Sequence, residues 1–228
     1  MNSMRPAVIA FDVIETLFAL DPLAARFAAV GLPADSLRLF FASMLRDAFA
    51  LEVAGSYKSF KEIATASVAT VMANHGVAPE EAKIAKVLDG FAELSIQPDV
   101  RPAFERVRAA GVRIIMVTNG SAENTKKLLS RAGLADFVEK TVSIDEVRHW
   151  KPHRDVYLHA ARAAEVVPSR LALIAAHAWD THGAKQAGLL TGAVQRQNQH
   201  YLSAMLPSDV QGGTLLEVVD NLLALPAS

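Results

Sequence analysis

The feature that most constrains this chain is a set of short, nearly continuous apolar runs spaced far apart and separated by helix-length amphipathic segments. The runs are 7–11, 112–117, 171–176 and 189–194, with a weaker one at 140–144. Continuous apolar strands of this length suit burial on both faces of a sheet, which requires helices above and below it. Between the runs, helical patterns lie near 100–110, 122–132, 154–165 and 181–187. Strands that alternate with helices predict an α/β fold with a doubly wound parallel sheet.

The stretch 19–97 breaks that rhythm. It holds no convincing strand and reads as helices over 34–51, 60–75 and 79–93. The breaks fall at Gly31-Leu32-Pro33, Gly55 and Gly76-Val77. An all-helical insertion behind the first strand is best read as a cap over the sheet. The expected organisation is therefore a core domain of 1–18 and 98–228 with a helical cap domain of 19–97. The region 195–213 reads as a polar loop, and a last helix over about 214–225 is expected to dock at the sheet edge.

Composition excludes several classes. With 23 basic and 24 acidic side chains, the chain has no electrostatic surface suited to nucleic acid. No apolar stretch approaches the roughly 18 residues that span a bilayer, so no membrane partner is expected. The N-terminal apolar run is cut by Asp12 and Glu15 and does not read as a signal peptide. There is no cysteine, hence no thiol nucleophile and no disulfide framework. A cytoplasmic protein is the expectation.

In open α/β sheets ligands bind outside the carboxyl ends of the strands. The residues there are Asp12 to Thr16 after the first run, Thr118-Asn119 after the second, Lys151-Pro152 after the weak strand, and His177 to Asp180 after the run ending at Ala176. A carboxylate, hydroxyl and amide groups, an ammonium and a second carboxylate would converge in one crevice, as a nucleophile with a charge partner and orienting groups.

These motifs, in this order, resemble the haloacid dehalogenase (HAD) superfamily, with its Rossmann-like core, and within it the 2-haloacid dehalogenase branch, from about residue 5 to 225. The pattern is Asp12-x-x-x-Thr16, a hydrophobic strand ending at Thr118 with Asn119 next, Lys151 before Pro152, and Ala178-Trp179-Asp180 in the last loop. The resemblance implies a two-step hydrolysis: Asp12 attacks to form an ester, and water cleaves it. It further implies that Lys151 holds Asp12 ionised and that Asp180 orients Lys151 and helps position water. Thr16, Thr118 and Asn119 would bind oxygens of the nucleophile or substrate. His177 stands where the branch usually has Asn, and reads either as a loop hydrogen-bonder or as the base for water. A homodimer also follows from the resemblance.

Two positions decide what Asp12 attacks. A superfamily phosphatase carries an acid two residues after its nucleophile to protonate the leaving group, and that position is Ile14. Its Mg²⁺ needs a further carboxylate from the last loop, and the corresponding residue is Ala176. Mg²⁺ demands several hard oxygen ligands, so no metal and no cofactor is expected, and halide needs no proton to leave. The expected activity is hydrolytic dehalogenation of a small organic acid. The alternatives are a phosphatase on a small phosphorylated metabolite, for which Mg²⁺ would be the cofactor, a hydrolase of other specificity, and a non-catalytic binding protein. The arginine that the branch places early in its cap helix is here Phe41, which would line the pocket. Arg38, about one turn away, and Arg46 are the candidates to replace that arginine.

Overall fold

The computed structural model describes residues 4–33, 35–196 and 201–226. In chain order the elements are β1 (Val8–Phe11), β2 (Phe18–Ala19), α1 (Leu23–Ala29), α2 (Ser36–Val53), α3 (Phe60–Asn74), α4 (Glu81–Leu88), β3 (Ser95–Ile96), α5 (Val100–Ala109), β4 (Arg113–Thr118) and α6 (Ala122–Arg131). There follow β5 (Lys140–Ser143), α7 (Arg154–Ala163), β6 (Leu171–Ala175), α8 (Ala178–Gln186), β7 (Leu190–Val194), β8 (Val210–Gly212) and α9 (Leu215–Leu223).

Six strands form one sheet in the order β5-β4-β1-β6-β7-β8. Every neighbouring pair is parallel. All four residues of β1 are fully buried, as a strand covered by helices on both faces must be. From β1 the chain winds outward to β4 and β5, then returns to β6 and winds the other way. The reversal puts the topological switch point at β1, where an open α/β sheet forms its binding crevice. Phe11 stands level with Met116 on one side and Ile174 on the other, so Asp12 emerges between the ends of β4 and β6.

Between β2 and β3 the chain makes a helical insertion with its own apolar interior. Phe27, Phe40 and Phe91 pack in series, with ring centroids 5.3 and 6.3 Å apart. The α3 helix starts at a capping box in which Ser59 and Glu62 satisfy each other's backbone N–H groups. The segment before Lys151 is fastened to this insertion. Trp150 is buried against Phe60, its indole N–H donates to the Lys58 carbonyl (2.7 Å), and its backbone N–H donates to Glu52 (2.8 Å). Tyr57 also donates to Asp145.

The five expected strands are present, with boundaries within a residue or two. Several expectations are corrected. The region 19–97 is not free of strand: Phe18–Ala19 pairs antiparallel with Ser95–Ile96 where the chain enters and leaves the insertion. An extra helix, α1, precedes α2, and the expected helix over 79–93 is α4 followed by a separate 3₁₀ turn, Asp89–Ala92. The helix expected over 34–51 is Ser36–Val53; Ala34 lies outside the described residues. The helix expected from 181 begins at Ala178. The polar region 195–213 supplies β8, which pairs with β7 at Gly192↔Val210; residues 197–200 lie outside the described residues. The last helix, α9, packs on β7, β8 and α5. No helix among the described residues is long and apolar enough to cross a membrane.

Candidate active site

Asp12 continues β1 directly, and its backbone N–H still donates to Ile174 of β6 (3.0 Å), which fixes where its side chain begins. The turn that follows brings Thr16 back over the carboxylate. Thr16 Oγ1 donates to Asp12 Oδ2 at 2.6 Å and accepts from the Ala176 N–H at 2.9 Å, tying β1's turn to the end of β6. The other carboxylate oxygen, Oδ1, accepts from Lys151 Nζ at 2.7 Å. Lys151 Nζ also donates to Asp180 Oδ2 (2.6 Å) and to the Val117 carbonyl (3.0 Å). All three ammonium protons are thereby placed.

The ion triad is buried, with Lys151 and Asp180 fully so. Burial pushes the Lys151 pKa down, but the charges and hydrogen bonds of Asp12 and Asp180 outweigh it and raise it, so the ammonium form persists. Burial pushes the Asp180 carboxyl up against the pull of Lys151, and the nearby Asp12 adds to the rise. Tyr157 reinforces Asp180 by donating from its hydroxyl to Oδ1 at 2.7 Å. Burial first, then Asp180, raises the phenol well above its ordinary value, so it stays a donor. Helices α7 and α8 approach closely at Gly183, where a Cβ would lie 2.6 Å from Pro152 Cβ and 2.9 Å from the Tyr157 hydroxyl. That contact holds Lys151, Tyr157 and Asp180 as one unit.

Thr118 and Asn119 end β4 beside the carboxylate. Asn119 Oδ1 accepts from the Lys151 backbone N–H (3.0 Å), which leaves its –NH₂ for the crevice. Thr118 Oγ1 accepts from the Gly120 N–H (2.9 Å), so it helps shape the loop and makes no bond to Asp12. Above these groups lies a cavity of about 20 Å³, lined by Asp12, Ile14, Phe41, Phe60, His177 and Trp179 with Met44, Leu45, Thr118, Asn119 and Gly120. Its roof is apolar. Arg38 is exposed, and Arg46 is exposed and paired with Asp47, so neither stands in for an arginine at Phe41.

The structure therefore gathers Asp12, Thr16, Lys151, Asp180, His177, Thr118, Asn119 and Phe41 at one place, Phe41 as expected on the cavity wall. Tyr157 was missed, although one signal pointed to it. It falls on the buried stripe of α7 with Val156, Ala160 and Ala161, and a buried tyrosine hydroxyl requires a partner. Glu15, hydrogen-bonded to His177, was missed too. His159 and His182 are half-buried and bonded to Glu146 and to the Leu206 N–H. Ser121 caps α6, its hydroxyl accepting from the Asn124 N–H.

Both carboxylates beside the cavity, Asp12 and Asp180, are engaged by Lys151. Among the described residues, the one group of three potential metal ligands is Glu52, His149 and His153, at the joint between the insertion and the sheet domain. The two oxygens of Glu52 already accept from His149 and the Trp150 N–H, and the two imidazoles stack face to face 3.9 Å apart.

A carboxylate at the switch point of a parallel sheet, backed by a buried ammonium and roofed by inserted helices, defines a capped α/β hydrolase. A family model described as haloacid dehalogenase-like hydrolase matches residues 6–188, and the chain belongs to that family. It is 26% identical over 227 residues to (S)-2-haloacid dehalogenase 1 of Pseudomonas sp. strain CBS-3, covering 99% of each chain. A second relative, (S)-2-haloacid dehalogenase 2 of the same strain, is 33% identical over 110 residues, 47% of this chain and 48% of that one. In fold it resembles the L-2-haloacid dehalogenase of Xanthobacter autotrophicus solved with chloropropionic acid covalently bound. That match has a TM-score of 0.89 at 19% identity, over 96% of this chain and 99% of that chain.

Proposed function

We propose that this protein hydrolyses the carbon–halogen bond of a small 2-haloacid through an ester formed on Asp12. The observation that carries the reading is the state of Asp12. Its carboxylate is fixed by Thr16 and Lys151 and faces a small, largely apolar cavity in which Ile14, unable to give a proton, stands two residues on. The relatives' activity, (S)-2-haloacid dehalogenation, supports the same reading.

Asp12 attacks the halogen-bearing carbon, the new C–O bond forms as the halide leaves with the bonding pair, and the product is an ester. Lys151 holds the nucleophile aimed, and Asp180 with Tyr157 holds Lys151. The Asn119 amide and neighbouring N–H groups take up the substrate carboxylate. Halide leaves without protonation, so the reaction needs neither metal nor cofactor. Residues 19–97 act as a cap domain on a core of 1–18 and 98–228. A space of about 20 Å³ holds one water, and a haloacid is several times larger, so substrate entry parts the insertion from the strand ends. The absence of cysteine suits a reducing cytoplasm.

The test is a halide-release assay run beside a phosphate-release assay on panels of small 2-haloacids and phosphate esters. Halide release in the wild type, lost by about four orders of magnitude in Asp12→Asn, is the expected result. Phosphate release that depends on Mg²⁺, with no halide release, would overturn it.

A further inference from the structure

The joint between the insertion and the sheet domain carries three side chains that lie outside the group around Asp12. Glu52 is in the last turn of α2, His149 in the loop before Lys151, and His153 at the N-cap of α7. One ligand-type atom from each lies within 4.8 Å of the others. The His153 N–H donates to the Trp150 carbonyl (2.8 Å) and so folds the segment back on itself. The two imidazoles then stack with centroids 3.9 Å apart and planes 8° apart. Glu52 reaches them from the insertion, its Oε1 2.7 Å from His149 Nδ1. The Glu52 side chain is 14% exposed and that of His149 39%, so the group is open to solvent from the histidine side.

Two imidazoles and one carboxylate are a ligand set for Zn²⁺ and its late first-row neighbours, not for Mg²⁺ or Ca²⁺, which take oxygen ligands. Zn²⁺ with three protein ligands keeps a fourth position for water. Tetrahedral ligands about 2.0–2.1 Å from the ion stand roughly 3.4 Å from one another, so the three side chains need close by at most roughly 1.4 Å. Coordination would replace the bond between His149 and Glu52 and the α7 cap, in which His153 Nδ1 accepts from the Asp155 N–H at 3.2 Å. The ligating carboxylate keeps a second partner, because Glu52 Oε2 accepts from the Trp150 N–H at 2.8 Å. The neighbouring cation, Arg148, is engaged on the Tyr57 ring, 4.7 Å from its centroid.

We propose that Glu52, His149 and His153 bind one divalent ion of the Zn²⁺ class, and that this ion locks the insertion onto the sheet domain. The ligands divide between the two parts: the carboxylate belongs to the insertion, and both imidazoles belong to the sheet domain. The helix that carries Glu52 also carries Phe41, Met44 and Leu45, which wall the cavity above Asp12. Phe41 and Glu52 are about 16 Å apart along α2, and a helix of that length moves as one piece. Parting the insertion from the strand ends would pull Glu52 off the ion and leave it two ligands. The ion therefore opposes opening by the affinity that the third ligand supplies. The lock rests on the reading that substrate entry parts the insertion from the strand ends; the metal site itself does not.

The experiment uses ZnCl₂ with the chelator-washed full chain, as wild type, Glu52→Gln and His153→Asn. Glutamine keeps an acceptor for the Trp150 N–H, and asparagine is itself a favoured N-cap for α7, so each variant removes a ligand with little harm to the fold. Equilibrium dialysis should show one Zn²⁺ bound per wild-type chain, with affinity about 100-fold or more weaker at this site in either variant. Mg²⁺ should not compete. In hydrogen-exchange mass spectrometry, saturating Zn²⁺ should slow exchange over 36–53 about tenfold or more in the wild type and not in the variants. Halide release from 2-chloropropionate should fall about tenfold or more in the wild type with Zn²⁺, return on adding chelator, and change less than about twofold in the variants. Zn²⁺ bound equally well by wild type and both variants, or not bound at all, would overturn the site. Zn²⁺ held at this site with exchange over 36–53 and halide release both unchanged would overturn the lock. Protein that releases no halide with or without Zn²⁺ would overturn the dehalogenase reading instead, and dialysis and exchange would still decide the site and the lock.

Discussion

Lys151 Nζ lies 2.7 Å from Asp12 Oδ1, although 139 residues of chain separate them, and the lysine is entirely buried. Desolvation of the ammonium is offset only because Asp12, Asp180 and the Val117 carbonyl each take one of its protons. Lys151→Ala leaves two carboxylates buried near one another with no cation between them. It should abolish turnover and cost about 3–5 kcal/mol of stability, measured by urea denaturation. Lys151→Met, which keeps most of the packing, should recover part of the stability and none of the activity.

Ile14 and Ala176 set the expectation for metal dependence. Neither offers an oxygen ligand from its side chain, and Asp12 and Asp180 are both bound to Lys151. Halide release should persist in excess chelator and be unchanged by added Mg²⁺, as read by initial rates with and without each.

Phe41 closes the cavity where a guanidinium would meet a substrate anion, while Arg38 and Arg46 point elsewhere. Chloroacetate, with little apolar surface, should be a poor substrate beside longer 2-chloro acids. Phe41→Arg should lower KM for chloroacetate about tenfold or more, since a charge-assisted hydrogen bond contributes about 1.5–3 kcal/mol. Arg38→Ala and Arg46→Ala should leave kcat/KM within about twofold of the wild type.

Behind the turn that follows β1, Arg196 donates to the Thr16 carbonyl (2.8 Å from Nη2) and to both oxygens of Asp99, whose Oδ2 also accepts from the Leu215 N–H that starts α9. Burial pushes the Asp99 carboxyl up, but Arg196 and the Leu215 N–H outweigh it and hold the pKa below 3.8. A carboxyl depressed in the folded state stabilises it above the unfolded value and loses that contribution as pH falls through the folded value. Asp99→Asn should cost roughly 2 kcal/mol at neutral pH. Its urea midpoint should then fall less steeply than the wild type's below about pH 4.

The sequence by itself determined what local chemistry determines. The five short apolar runs could only be buried strands, and the order of strands and helices left a parallel sheet as the way to cover them. That placed Asp12, Thr118, Asn119, Lys151 and His177 to Asp180 at the same end of the sheet, because each directly follows a strand or the loop after one. The helical insertion was legible because 60 or more consecutive residues with helical spacing cannot join the sheet. Short elements were not legible. β8 and the ribbon of β2 with β3 have two or three residues each, too few for a period, and exist because a neighbouring strand supplies hydrogen bonds. Only the tertiary structure decided the partnerships. Glu15 meets His177 across 162 residues, Tyr157 meets Asp180 across 23, and Arg196 meets Asp99 across 97. None of these pairs carries a local pattern, because charge and hydrogen-bond pairing depends on distance in space. That distance was set by the winding of the sheet about β1 and by the close approach of α8 to α7 at Gly183.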